Sequence, residues 1–246
     1  MPLYTADALI LRTYKLGEAD RIVVFLTRDR GKKRGVAKGA RRPRSRFLGA
    51  LEPLTEVRVA YFEKERRELV GLNFAETIRS PLGLIGPASA FAKATADGKA
   101  GHYVRERPPE GAHDVDGDAL RYVGYFAELL DEWAQEADAD ERLYRLGVSM
   151  LNALAAGAPV EPLARYFEYW LLRLQGVYPE ARGTLSDAAM AFLAASRSLG
   201  PDRVSELPAE RGTLNELEQM HRGLIEMHLE KTLKSDRVLR DMRRHN

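Results

Sequence analysis

Between Arg28 and Arg46 the chain gathers the side chains that hold phosphate without forming a bond: Arg28, Arg30, Lys32, Lys33, Arg34, Lys38, Arg41, Arg42, Arg44 and Arg46. Residues 1–50 carry 13 Lys and Arg against 4 Asp and Glu, a net of +9. The whole chain is only +2, so residues 51–246 must sum to −7. Cations crowded in this way gain free energy by releasing counterions condensed on a polyanion. The aromatic residues Phe47, Tyr61 and Phe62 lie close by in sequence. Backbone-tracking cations plus stacking rings are what a single-stranded nucleic-acid groove needs, each stacked base being worth about 1–3 kcal/mol. On this reading Arg30, Lys32, Lys33, Arg34, Lys38, Arg41, Arg42, Arg44, Arg46 and Phe47 contact nucleic acid. The same charges also suit a plainer role, as solvated residues that keep a barrel edge from aggregating.

Other candidate chemistry is thinner. Gly31-Lys32 and Gly98-Lys99 lack both the upstream glycine and the following Ser or Thr of a P-loop, so ATP hydrolysis is not indicated. His221 and His228 lie seven apart on one face of a helix, whereas helical two-His metal sites use three or four, so surface or core-edge packing is expected of both. Glu18 and Asp20, beside Arg21, suit a stabilised turn better than a metal-dependent nuclease, which is the competing enzymatic reading. The absence of cysteine excludes disulfides, thiol catalysis and thiolate metal sites, and fits a reducing compartment. No enzyme, no cofactor and no metal are expected.

The elements that must position these residues fall into two classes. Ala8–Leu11, Arg21–Thr27, Gly35–Gly39, Thr55–Phe62 and Glu68–Phe74 read as strands, the last two alternating through Val57, Val59, Tyr61 and through Val70, Leu72, Phe74. Five short strands with no helix between them predict a small antiparallel barrel. From residue 118 the period becomes helical, through Tyr122, Phe126, Leu129, Leu130 and Trp133, then Leu143, Leu146, Met150 and Leu154. A third stripe, Leu163, Tyr166, Phe167, Trp170, Leu171 and Leu174, is entered by Pro159 and Pro162. Thr213-Leu214-Asn215-Glu216 has the capping-box pattern before a last helix through Leu229. Residues 86–117 are aperiodic, Ala/Gly-rich and then Pro-rich, and read as a mobile insertion. The expected domains are 1–80, a linker with a disordered insertion at 81–117, and a helical domain at 118–246. With 45% hydrophobic residues, no basic and apolar leader and no apolar run of about 20 residues, a cytoplasmic protein without membrane contact is expected.

Several segments resemble the bacterial RecO family of DNA repair proteins. They are Leu16-Gly17-Glu18-Ala19-Asp20-Arg21-Ile22-Val23, Leu26 to Lys32, Val36 to Phe47, Leu51-Glu52-Pro53-Leu54, Arg165 to Leu172 with Gly176-Val177-Tyr178-Pro179, and His228 to Ser235. The resemblance implies an α+β architecture, an N-terminal OB-fold barrel followed by an α-helical bundle. It implies binding of single- and double-stranded DNA (ssDNA and dsDNA), strand annealing without ATP and capture of the C-terminal tail of single-stranded DNA-binding protein (SSB). Cooperation with RecR in loading RecA onto SSB-coated DNA, and association with the nucleoid, are implied in the same way. Many members carry a four-cysteine zinc module after the segment matching Tyr178-Pro179; here Glu180-Ala181-Arg182-Gly183 follows and the metal is not expected. An RNA- or ribosome-associated OB protein would satisfy the charge and the barrel equally well.

Overall fold

The computed structural model describes residues 2–63, 68–81, 115–179 and 185–243. Five strands, β1 (Leu3–Leu16), β2 (Asp20–Thr27), β3 (Gly31–Ala37), β4 (Glu56–Phe62) and β5 (Val70–Arg79), close a barrel in the order β1-β2-β3-β5-β4. All pairings are antiparallel except β3 with β5, which run parallel through Gly35–Val70 and Ala37–Leu72. The barrel is therefore not wholly antiparallel as expected, because the chain crosses to the far side between β3 and β5. Among the described residues six α-helices follow: α1 (Val115–Trp133), α2 (Glu141–Ala155), α3 (Val160–Leu174), α4 (Asp187–Ser198), α5 (Arg211–Leu229) and α6 (Lys234–Arg243), with a 3-10 turn at Pro201–Glu206. No described helix is long and apolar enough to cross a membrane. The insertion expected at 86–117 falls largely outside the described residues, α1 beginning at Val115.

Alternation along β1 and β2 serves two cores at once. Ala8, Ile10, Val23 and Phe25 point into the barrel with Val57, Val59, Tyr61 and Leu72. Their neighbours Leu9, Leu11, Val24 and Leu26 point outward and join the helical core around Leu129, Leu130, Trp133 and Leu143. Both faces of these strands are buried, which is why Ala8–Leu11 reads as an unbroken apolar run.

Main-chain bonds stitch the same junction. Lys32 N donates to Gln135 O at 3.1 Å and Ala137 N donates to Lys32 O at 3.1 Å, so β3 gains a parallel bridge at Glu136. Around it, Arg12 meets Asp131 at 3.2 Å, Lys32 meets Asp131 at 3.3 Å and Arg28 meets Glu141 at 2.7 Å. Leu54, at φ 58, donates its N–H to Ile10 O at 2.7 Å and drops its side chain into the helical core. A non-glycine residue in this region is strained, and burial of the leucine offsets the cost.

Two further sequence expectations change, and two elements carried no sequence signal. Phe74 does not share a face with Leu72: a register shift pairs Ala60 with Phe74 but Tyr61 with Leu72, so Ala75 turns inward and Phe74 is partly exposed. Thr213 is no cap, since α5 begins at Arg211, and Glu216 instead accepts from Ser186 N and Oγ at 2.7 and 2.5 Å. Nor do α4 and the 3-10 turn follow a clear apolar stripe in the sequence, α4 being an Ala-rich helix that buries Phe192 and Leu193.

Gly31 tests the junction directly. It sits at φ +67, and a Cβ there would overlap the Asp138 backbone. Gly31→Ala is expected to lower unfolding free energy by about 2 kcal/mol or more, combining left-handed strain with overpacking. Gly49→Ala, at φ +74 with open space around it, should cost only the strain, about 1–2 kcal/mol. Denaturant midpoints of the two variants give the comparison; equal losses would remove the junction from the account.

Candidate nucleic-acid interface

The basic segment divides over the barrel instead of forming one patch. Lys32, Lys33 and Arg34 belong to β3, while Lys38, Arg41, Arg42, Arg44 and Arg46 stand in the long loop between β3 and β4. Lys32 is spent at the junction, its ammonium donating to Asp131 O at 2.6 Å. Lys33 is held by Glu63 at 2.8 Å. Arg30, on the β2–β3 turn, lies 4.2 Å over the Tyr4 ring and 3.7 Å from Asp29. That turn is built by Thr27, whose hydroxyl accepts from Arg30 N at 3.0 Å and donates to Gly31 O at 2.8 Å.

The β3–β4 loop is fastened to the β1–β2 hairpin. Asp20 accepts from Gly39 N at 2.8 Å, and Arg41 donates to the Gly17 and Glu18 carbonyls at 3.1 and 2.8 Å. The Asp20 carboxylate thus ties the β1–β2 hairpin to the β3–β4 loop, and Glu18 contributes its main-chain carbonyl. Phe47 anchors the loop from below, 2% exposed in the barrel core with Leu51, and Arg46 lies 5.1 Å over its ring. Its stacking role is corrected accordingly: a ring sealed in the barrel cannot meet a base. Tyr61 is likewise interior, and burial lifts its phenol to about 12. With those anchors in place, Arg34, Lys38, Arg42, Arg44 and Arg46 are exposed, and none pairs with an acid among the described residues.

An aromatic residue that charge counting overlooked stands beside them. In register across the outer face, Tyr14 pairs with Ile22 and Ile22 with Val36. Tyr14 is 43% exposed, Leu16 is also exposed, and Ile22 and Val36 are half-buried. Arg34 stands in the neighbouring register row, across Val24 from Arg12, while Lys38 follows the end of β3. Arg12 Nη1 donates to the Tyr14 hydroxyl at 3.4 Å. The result is an apolar strip with Ile22 at its centre, the Tyr14 ring at one end and Arg34 in the adjacent row. Alternation in Leu11–Leu16 was the available signal, but it is masked by the β1 bulge between Ile10 and Arg12.

The helical domain holds a second concentration of polar groups. Glu168, in α3, accepts from Tyr125 at 2.7 Å, pairs with Arg165 at 2.9 Å and lies 3.0 Å from His221 Nδ1, all four groups being buried. The expectation of a surface or core-edge His221 is corrected: it is fully enclosed, whereas His228 is exposed and stacks flat on Trp133 at 5.6 Å. Burial holds the His221 imidazole below its ordinary value, opposed by Glu168 and reinforced by Arg165. Next to this network is a cavity of about 830 Å³ floored by Tyr178, Leu185, Met190 and Met220, with Arg173 and Arg197 on its walls. Those two guanidiniums donate to one Tyr169 hydroxyl at 3.0 and 2.6 Å, which fixes them there. Among the described residues no three His, Asp or Glu side chains converge to hold a metal ion. Residues 180–184, at the place of the family's zinc module, lie outside the described residues.

The lowered imidazole gives a signed expectation. A folded chain that resists the proton an unfolded chain accepts has its full His221 contribution above pH about 6.5 and loses it as pH falls below that value. Thermal unfolding between pH 8 and 5 should show the decline, and His221→Gln should flatten it. A slope unchanged by the substitution would assign it elsewhere.

Comparison with known proteins agrees with the two-part structure. The family model described as recombination protein O N terminal matches residues 1–81, and that described as recombination protein O C terminal matches residues 115–183. The DNA repair protein RecO of Koribacter versatilis is 34% identical over 178 residues, covering 72% of this chain and 61% of the relative. That of an Anaeromyxobacter species (strain Fw109-5) is 32% identical over 207 residues, covering 84% and 66%. The RecO of Bifidobacterium adolescentis is 54% identical over 85 residues, covering 35% and 34%. The matches with the longer alignments thus span about three fifths to two thirds of those relatives. With both parts matched in order, a barrel of OB topology followed by helices, the chain belongs to the RecO family of DNA repair proteins.

Proposed function

We propose that this chain is a non-catalytic DNA-binding mediator of recombinational repair. It holds ssDNA at the end of the β1-β2-β3 outer face that the helices leave uncovered, around Tyr14, Ile22 and Val36, and along the β3–β4 loop, binds dsDNA through the same cations, and anneals complementary strands without ATP. The observation that carries the reading is the Tyr14–Ile22–Val36 strip with Arg34 in the adjacent register row, on a barrel whose β3–β4 loop carries the exposed cations Lys38, Arg42, Arg44 and Arg46. OB barrels take oligonucleotides on this face. Cations on a loop reach phosphates and fix register, whereas an exposed ring offers stacking to any base. Charge neutralisation supplies the annealing mechanism: strands that repel each other are held by one cationic surface while their bases stay free to pair.

The partners follow the same chemistry. A tail of acidic residues ending in an apolar pair, as bacterial SSB carries, matches the cavity of Tyr178, Leu185, Met190 and Met220, with Arg173 and Arg197 facing the carboxylates. Through such a contact, and with RecR, the chain would help load RecA onto SSB-coated DNA.

Two measurements test the proposal. Removing Lys38, Arg42 and Arg44 together should shrink the salt slope of ssDNA binding by about 2, at roughly 0.7 per lost contact, with no change in sequence preference. Tyr14→Ala should weaken ssDNA by about 1–3 kcal/mol and leave the slope alone. Slope and affinity unchanged in both variants would overturn the assignment, and a marked preference for RNA in competition would favour the ribosomal reading. Separately, calorimetry with an acidic peptide ending in two apolar residues should show binding that Arg197→Glu abolishes while ssDNA affinity is retained.

A further inference from the structure

The cavity of the helical domain has a charged wall that two helices build around one uncharged oxygen. Tyr169 and Arg173 lie four residues apart on α3, one turn along the same face, and Arg197 comes from the last turn of α4. Tyr169 is buried, yet its hydroxyl accepts from Arg173 Nη1 at 3.0 Å and from Arg197 Nε at 2.6 Å. The two nitrogens therefore lie within 5.6 Å of each other, the sum of 3.0 and 2.6 Å. Arg173 is also held over the Tyr169 and Trp170 rings, 5.6 and 5.8 Å from their centroids.

The kind of acceptor matters. A carboxylate in its place would cancel one of the two positive charges, whereas a phenol hydroxyl aligns both guanidiniums and leaves their charge intact. Neither arginine pairs with an acid among the described residues. Among the described residues lining the cavity, Arg173 and Arg197 stand against one acid, Asp187. Glu216 is committed to Ser186, and Glu168 and Glu218 are committed to Arg165, so none of these three cancels the pair. Two guanidiniums tied to one oxygen can share one carboxylate through charge-assisted hydrogen bonds. The apolar floor begins directly beside them, since the Tyr178 ring stands edge-on to Tyr169 at 4.9 Å.

We propose that Tyr169 is the positioning residue of this cavity: its hydroxyl sets Arg173 and Arg197 as one clamp for one carboxylate, the free C-terminal carboxylate of a peptide whose last side chain is apolar. The proposal rests on the reading of the cavity as a peptide site and specifies which group of the peptide the arginines hold. In a terminal residue a single Cα separates the carboxylate from the side chain, so one residue both fills the floor and meets the clamp. An internal acid would bring a further peptide unit into the cavity, with an N–H and a C=O to satisfy.

The test is calorimetry on the full chain with one acidic peptide ending in two apolar residues, prepared as the free acid and as the C-terminal amide. The unaltered chain should bind the acid about tenfold tighter than the amide, the scale of one lost charge-assisted hydrogen bond. Tyr169→Phe keeps the ring against Tyr178 and removes only the acceptor. It should weaken the acid by about tenfold and leave the amide within about twofold, so that the preference collapses while ssDNA affinity is retained. Arg197→Lys keeps the charge but loses the Nε held by the hydroxyl; it should shrink the preference in the same sense, and it serves if Tyr169→Phe does not fold. Equal weakening of acid and amide would make Tyr169 a structural residue and overturn the proposal. An undiminished preference in the variants would overturn it too, as would an unaltered chain that binds acid and amide alike. An unaltered chain that binds neither peptide would instead remove the reading of the cavity as a peptide site, and the clamp with it.

Discussion

Burial of the outer faces of β1 and β2 under α1 and α2 is the constraint on which the rest depends. A small barrel has one interior, and strands with apolar residues on both faces would leave Leu9, Leu11, Val24 and Leu26 in water. The helices remove that surface. Gly147 lets them approach closely: a Cβ there would lie 2.6 Å from Leu9 Cδ1 and 2.8 Å from Leu130 Cδ1. The barrel and the helices therefore share a core, and no flexible tether has to set the relation between them.

That packing also decides which cations are free. Arg12, Arg28 and Lys32 face Glu128, Asp131, Glu132 and Glu141 across the junction, so part of the N-terminal positive charge meets part of the negative charge from the middle of the chain. Glu128 is further bound by the Ser235 hydroxyl and amide and the Lys234 amide, which outweigh its burial and hold its carboxyl below the usual range. The same residue thus ties α6 to the barrel side of the molecule. Lys231, in the turn between α5 and α6, pairs with Glu132. Exposed and without an acidic partner among the described residues are Arg34 and the loop cations Lys38, Arg42, Arg44 and Arg46.

The polar network inside the helical domain has a different logic. Arg165, Glu168 and His221 are removed from water, where an unpaired charge would be costly, and each is supplied with partners from another helix. Tyr178 closes the group, edge-on to Tyr169 at 4.9 Å and 3.4 Å from His221 Nε2. In a chain without cysteine, aromatic and ionic contacts hold the described part of this region. Its order in turn keeps Arg173 and Arg197 at the neighbouring cavity.

Composition, periodicity and charge were enough to establish a barrel followed by helices and the crowding of cations before residue 50. These are local properties: strand alternation, a 3.6-residue stripe and a run of like charges all involve residues near one another in the chain. Which cations are free, which ring is exposed and where His221 lies depend on residues up to a hundred positions apart. Lys32 is consumed by Asp131, Phe47 is taken into the barrel, and a single-residue bulge turns Phe74 from the core while another leaves Tyr14 on the outer face. Sequence supplied the inventory of charges and rings. Tertiary packing decided their accessibility, because burial and pairing are properties of the neighbours that folding brings together.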